Sequence, residues 1–202
     1  FTQLNTPYPA TSYLKGFFNT KKISSFQADL GIEVTLALFS KRGLLKLFDQ
    51  VGVNEELPEN IRRIIALKED YVATIDAVVA FLQGKDPSMA HLICKRNFLP
   101  EASRFKQLDD LAWAFGSMGI QDKAKHLATM YLEDISDLVK ECADEHFGFS
   151  RYAERLGRSA NSFDELYGAL QQEYTFVDTI LIELLKERMA QIERSIIEQA
   201  LE

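Results

Sequence analysis

The sequence predicts a mainly α-helical, multi-helix protein that opens on a short α/β element, a partial Rossmann-like unit lacking its first strand. Three observations predict it. Gly and Pro together contribute only 15 of 202 residues, so few helix breakers are spread through the chain. Leu and Ala, at 44, far outnumber Val and Thr, at 17, a bias that favours helix over strand. Apolar residues after Asp29 recur at three- and four-residue spacing, whereas the first thirty residues read as loop, helix, strand and helix, the order of an α/β unit. The expected division is a partial α/β element over 1–57 and a helical region over 58–202.

The elements follow from local chemistry. Pro7 and Pro9 push their preceding residues towards extended geometry, so 1–9 is a loop. Thr11 or Ser12 then caps a short helix whose apolar side, Tyr13, Leu14, Phe17 and Phe18, has the spacing of a buried stripe. Asn19 to Lys22 end it. Residues 23–28, ISSFQA, are the best strand candidate, with Asp29 as a helix cap. Two short apolar pieces, 30–39 and 43–51, are divided by Ser40, Lys41 and Arg42. Pro58 suits a first helical turn, and one helix is expected from there to Leu82, stopped by Gly84. Pro87 opens a short helix, and another through Leu108 and Phe115 ends at Gly116-Ser-Met-Gly119.

Beyond Gly119, Ala124, Leu127, Tyr131, Ile135, Leu138 and Cys142 form one stripe, closed by Gly148. Asp134, Asp137, Glu141, Asp144 and Glu145 form its polar side. After a loop over 148–161, Ser162 and Glu165 make a capping box, and a break is expected near Glu173, Tyr174 and Thr175.

Composition excludes several classes. At 202 residues the chain buries about 70% of its extended surface and needs no disulfide or metal to build a core. A net charge of −7 with no basic stripe argues against nucleic-acid binding. No run of 18 apolar residues and no signal-peptide pattern occurs, so neither membrane nor export is expected and the reading is cytoplasmic. Cys94 and Cys142 read as free thiols. A start at Phe1 and a Leu201-Glu202 ending suggest a fragment.

The chemistry-bearing residues are sparse. Glu-x-x-His pairs, His-Glu-x-x-His and paired Cys-x-x-Cys are absent, so no metal site is assigned. Cys142 and His146 share a helix face but lack a second pair; they read as a core thiol and a helix-end residue, and His91 and His126 have no better claim. There is neither a Gly-x-Ser-x-Gly elbow nor a Gly-rich phosphate cradle, and the Gly116/Gly119 pair reads as a helix C-cap and tight turn. Arg151, Arg155 and Arg158 share one side of any helix formed there. They offer guanidinium groups to a phosphate or carboxylate, or answer nearby acids such as Glu154.

The opening TQLNTPYPATSYLKGFFNTKKISSFQADLGIEV, with the later FGFSRYAERLG of residues 147–157, resembles the N-terminal region of radical S-adenosylmethionine proteins that begin with a cobalamin-binding-like, Rossmann-type domain. The likeness is strong over about thirty residues. It sets Thr6 to Pro9 as the loop after a first strand, Tyr13 to Phe18 as the helix, and Ile23 to Asp29 as the next strand and its acidic end.

What the resemblance implies is an oxidoreductase that cleaves S-adenosylmethionine reductively at a 4Fe-4S cluster. The family's Cys-x-x-x-Cys-x-x-Cys triplet does not occur here, so cluster and S-adenosylmethionine are implied for the parent protein and no cofactor for this stretch. Cobalamin is not assigned, because Asp144-Glu-His146-Phe-Gly148 falls one residue short of the axial-histidine motif. The implied role is an accessory, substrate-side segment serving a catalytic domain downstream in the same chain. Gln3, Asn5, Thr6 and Tyr8 are then the first candidates for contact with substrate or cofactor, since ligands of open α/β sheets sit beyond the carboxyl ends of strands. The alternative is a helical protein-interaction module without chemistry of its own.

Overall fold

The helical bias of the composition is realised in eight α-helices and one 3-10 helix among the described residues, with no strand. The computed structural model describes residues 9–51, 57–108, 119–145, 147–148, 164, 167–168, 171 and 174–201. The helices are α1 (Pro9–Thr20), α2 (Leu30–Leu38), α3 (Lys41–Gln50), α4 (Glu59–Ala66), α5 (Lys68–Leu82), α6 (Met89–Cys94), α7 (Ile120–Cys142) and α8 (Phe176–Leu201). The 3-10 helix is Ser103–Leu108. None among the described residues is long and apolar enough to cross a membrane. The chain falls into two compact units, 1–36 with 150–202, and 37–149, whereas the sequence suggested a division at residue 57.

In the first unit the expected strand does not form. Residues 23–29 have neither helix nor ladder partner, because an extended segment becomes a strand only when a neighbour takes its backbone hydrogen bonds. The α1 stripe is present but not buried. No residue of α1 is buried, and Tyr13 is 80% exposed, Leu14 and Phe17 55% each. Thr11 and Ser12 lie inside the helix and hold the Gln27 side-chain amide, which donates to Thr11 Oγ1 at 2.7 Å and to Ser12 Oγ at 3.4 Å. Lys22, in left-handed geometry, closes α1: Ile23 N donates to Phe18 O and Lys22 N to Asn19 O.

Asp29 caps α2 as expected, accepting from Ile32 N at 3.1 Å. The break before α8 is built by a reciprocal pair, Asp178 N donating to Thr175 Oγ1 and Thr175 N to Asp178 Oδ2. Arg188 of α8 grips both carboxylate oxygens of Glu33, at 2.7 and 3.2 Å, and lies 5.3 Å over the Phe26 ring.

The second unit carries the larger core. α7 packs against α4, α5, α6 and the 3-10 helix, and α3 packs against α5. Leu44, Leu47, Ile61, Ile64, Ile75, Val78, Ile93, Leu127, Ile135 and Leu138 are buried between them. The helix expected from 58 to 82 is two helices, broken at Leu67, whose ψ of 16° ends α4 and starts α5. Gly84, at φ +75°, stops α5 in the way the sequence suggests: Lys85 N reaches Ala80 O and Gly84 N reaches Phe81 O, so a residue with a Cβ would be strained there.

Phe39 and Ser40 divide α2 from α3, and Ser40 makes the cap. Its Oγ accepts from Gly43 N at 3.0 Å and donates to Ala37 O at 2.7 Å. Replacing it with alanine frees the α3 terminus, and a loss of about 1 kcal/mol is expected in urea unfolding followed by circular dichroism. Gly119 is the N-cap of α7, and α7 ends at Cys142, six residues before Gly148; the C-cap and tight turn read for the Gly116/Gly119 pair involve residues outside those described. Residues 109–118 and the Ser162 end of the capping box lie outside the described residues.

Candidate functional site

The densest chemistry lies inside the second unit. Leu127, Tyr131, Asp134 and Leu138 follow at spacings of four, three and four, which place them on one face of α7. Asp134 is therefore carried into the core and is fully buried, a correction to its expected place on the polar side. Tyr71 of α5 meets it there, donating from its hydroxyl to Asp134 Oδ2 at 3.1 Å. The Tyr71 ring stacks on Tyr131, with centroids 5.0 Å apart and planes at 24°. Tyr131 donates to Tyr71 O at 2.9 Å and lies 3.0 Å from Thr74 Oγ1.

Arg104, from the 3-10 helix, reaches across the same stretch of α7. It bonds Asp137 Oδ2 at 2.6 Å and pairs with Glu133 at 3.2 Å, while its Nε lies 3.5 Å from Asp134 Oδ1. That last approach is too long for a hydrogen bond, so Arg104 Nε and Asp134 Oδ1 are both buried without a partner in hydrogen bonding.

Burial dominates the electrostatics. It pushes the Asp134 carboxyl up to about 6, against the opposing pull of the Tyr71 hydroxyl and Arg104. Tyr71 and Tyr131 are likewise raised by burial, Tyr71 further by the Asp134 charge. Arg104 is disfavoured by its own partial burial, but Asp137, Glu133 and Asp134 outweigh this and hold it above its ordinary value. The cluster is thus a proton-holding group close to neutrality. Tyr71, Tyr131 and Asp134 are all sealed from solvent, so the arrangement tunes the core and presents no face to a substrate.

An open depression of about 540 Å³ at the start of α3 is lined by Ser40, Lys41, Arg42, Leu45, Lys46, Asp49 and Asp76. Its cations suggest an anion. Two of the helix-start amides are already taken, Gly43 N by Ser40 and Lys41 N by Asp76 Oδ1 at 2.9 Å.

The sequence-derived candidates Gln3, Asn5, Thr6 and Tyr8, and Arg151, Arg155 and Arg158, lie outside the described residues, as does His146. Cys94 and Cys142 stand on α6 and α7, and burial raises both thiols, which favours their protonated form. Cys94 donates to Ile120 O at 3.5 Å. Among the described residues no group of three His, Cys, Asp or Glu is placed to hold a metal ion, and these residues do not fit an iron-sulfur cluster.

Sequence reasoning missed Asp134 and Arg104. The signal for Asp134 was its place between Tyr131 and Leu138 on the apolar repeat; Arg104 gave none, since its partners are 29 or more residues away. Comparison with protein-family models, with curated proteins and with solved structures finds no match to this chain.

Proposed function

We propose that this chain is the N-terminal, substrate-side part of a cytoplasmic radical S-adenosylmethionine oxidoreductase, whose 4Fe-4S cluster and S-adenosylmethionine are bound by a catalytic domain downstream in the same protein. The resemblance of the first thirty residues suggests the family. One structural observation supports it: the N-terminal element has the surface of an unfinished α/β layer. α1 carries Tyr13, Leu14 and Phe17 in the open, and the non-helical segment after it exposes Ile23 at 52% and Phe26 at 67%. A helix and a non-helical segment that both expose apolar side chains leave a surface that a sheet layer would cover.

In that arrangement the loop with Gln3, Asn5, Thr6 and Tyr8 stands at the carboxyl end of a strand and contacts substrate or cofactor. Arg151 and Arg155 offer guanidinium groups to an anionic part of the ligand. The acidic balance of the chain leaves nucleic acid out as a partner. The chemistry belongs to the downstream domain; the residues here bind and orient.

Anaerobic reconstitution of the full-length protein with iron and sulfide tests this reading. The expected result is cluster uptake and reductive cleavage of S-adenosylmethionine, with Asn5→Ala and Tyr8→Phe weakening substrate binding about fivefold, the worth of one hydrogen bond, and leaving the cluster's absorption unchanged. A full-length protein that takes up no cluster overturns it.

A further inference from the structure

α8 carries two apolar faces. Phe176, Val177 and Ile180, at its start, are buried. From Leu185 onward the apolar residues are exposed: Leu185 at 39%, Met189 at 67%, Ile192 at 53% and Ile196 at 61%. Their spacing of four, three and four is a coiled-coil seam, and it lies more than a quarter turn around the helix from the buried face. No described residue of this unit covers it.

We infer that this seam pairs with the same seam of a second copy of the chain, as a two-fold symmetric, antiparallel helix pair. The charges flanking the seam select this occupant. With the helices antiparallel, Leu185 stacks opposite Ile196 and Met189 opposite Ile192, each twice by symmetry. Lys186 of one copy then faces Glu193 of the other along one edge. Both side chains are exposed, and neither makes an ion pair within the described residues.

A parallel pair would set Arg188 against Glu193 instead, and Arg188 is already held by Glu33 at 2.7 Å. The antiparallel register leaves that ion pair intact. The exposed parts of the four seam side chains amount to roughly 800 Å² over both copies, below the range of stable specific interfaces, so the dimer is weak and concentration-dependent. The inference does not depend on the parent enzyme being of the radical type.

Sedimentation velocity on the 202-residue chain, from about 5 to 200 μM, reads the association directly. A monomer–dimer equilibrium is expected. Ile192→Glu keeps the chain monomeric throughout, with unchanged circular dichroism. Lys186→Glu sets two like-charge pairs face to face and weakens the dimer roughly tenfold. The double variant Lys186→Glu, Glu193→Lys restores it, because the swap rebuilds both pairs across the two-fold. A chain that sediments as a monomer at every concentration overturns the inference, as does a dimer unmoved by Ile192→Glu or a double variant that fails to recover.

Discussion

Gly43→Ala is expected to lower stability by about 3 kcal/mol, although alanine is ordinarily the better helix former by about 1 kcal/mol. The sign turns on space. Gly43 sits in the first turn of α3, directly after the corner with α2, and is buried. A Cβ built there runs into the carbonyl oxygens of Ala37 and Leu38 and comes within 2.8 Å of the Leu38 carbonyl carbon. These are backbone atoms, which no rotamer change moves, so the corner must open and the Ser40 cap with it. That in turn loosens Leu44 and Leu47 from the core against α5.

Gly16, midway along α1, is the control. Nothing lies within 4 Å of a Cβ there, so Gly16→Ala gains helix propensity without a clash. Urea unfolding of the two variants should therefore move in opposite directions. A Gly43→Ala protein with a midpoint at or above that of the parent would remove the close-approach argument.

What was legible in the sequence was local. Ser40, Asp29 and Gly84 act on backbone groups within five residues, so their chemistry is visible in a short window. The break before Thr175 was legible for the same reason. Strand formation over 23–28 was not, because β structure depends on a partner that a window of six residues does not contain. The α1 stripe shows the complementary limit: periodicity says that a face is apolar, not that anything in the same chain lies against it. Gln3, Asn5, Thr6 and Tyr8 were read from a resemblance and Arg151 and Arg155 from their spacing, and all six fall outside the described residues. The buried cluster the structure does contain joins Tyr71, Arg104 and Asp134 across sequence separations of 30 to 63. Only the heptad position of Asp134 left a trace of it, and a carboxylate there reads as polar until its neighbours are known.

Asp134 should make stability fall as pH rises. Its carboxyl is held at about 6 in the folded chain and titrates near 3.9 when unfolded. Between those values the folded state binds the extra proton, so each pH unit of increase removes up to about 1.4 kcal/mol, and the sum approaches 3 kcal/mol by neutral pH. The contribution is fully present below about pH 4 and lost as pH rises through 6. Asp134→Asn isolates it, because the amide keeps the shape and cannot ionise. Its oxygen can turn towards Arg104 and its NH₂ towards the Tyr71 hydroxyl, which then accepts instead of donating; the Tyr71 proton loses its acceptor, a cost that is the same at every pH and drops out of the pH dependence. Subtracting the unfolding free energies of parent and variant cancels the other carboxylates, and the difference is expected to move by about 3 kcal/mol in favour of asparagine between pH 4 and pH 8. A difference that is flat across this range would mean that Arg104, at 3.5 Å, stabilises the charge enough to offset its burial, and that the core holds an ordinary ion pair.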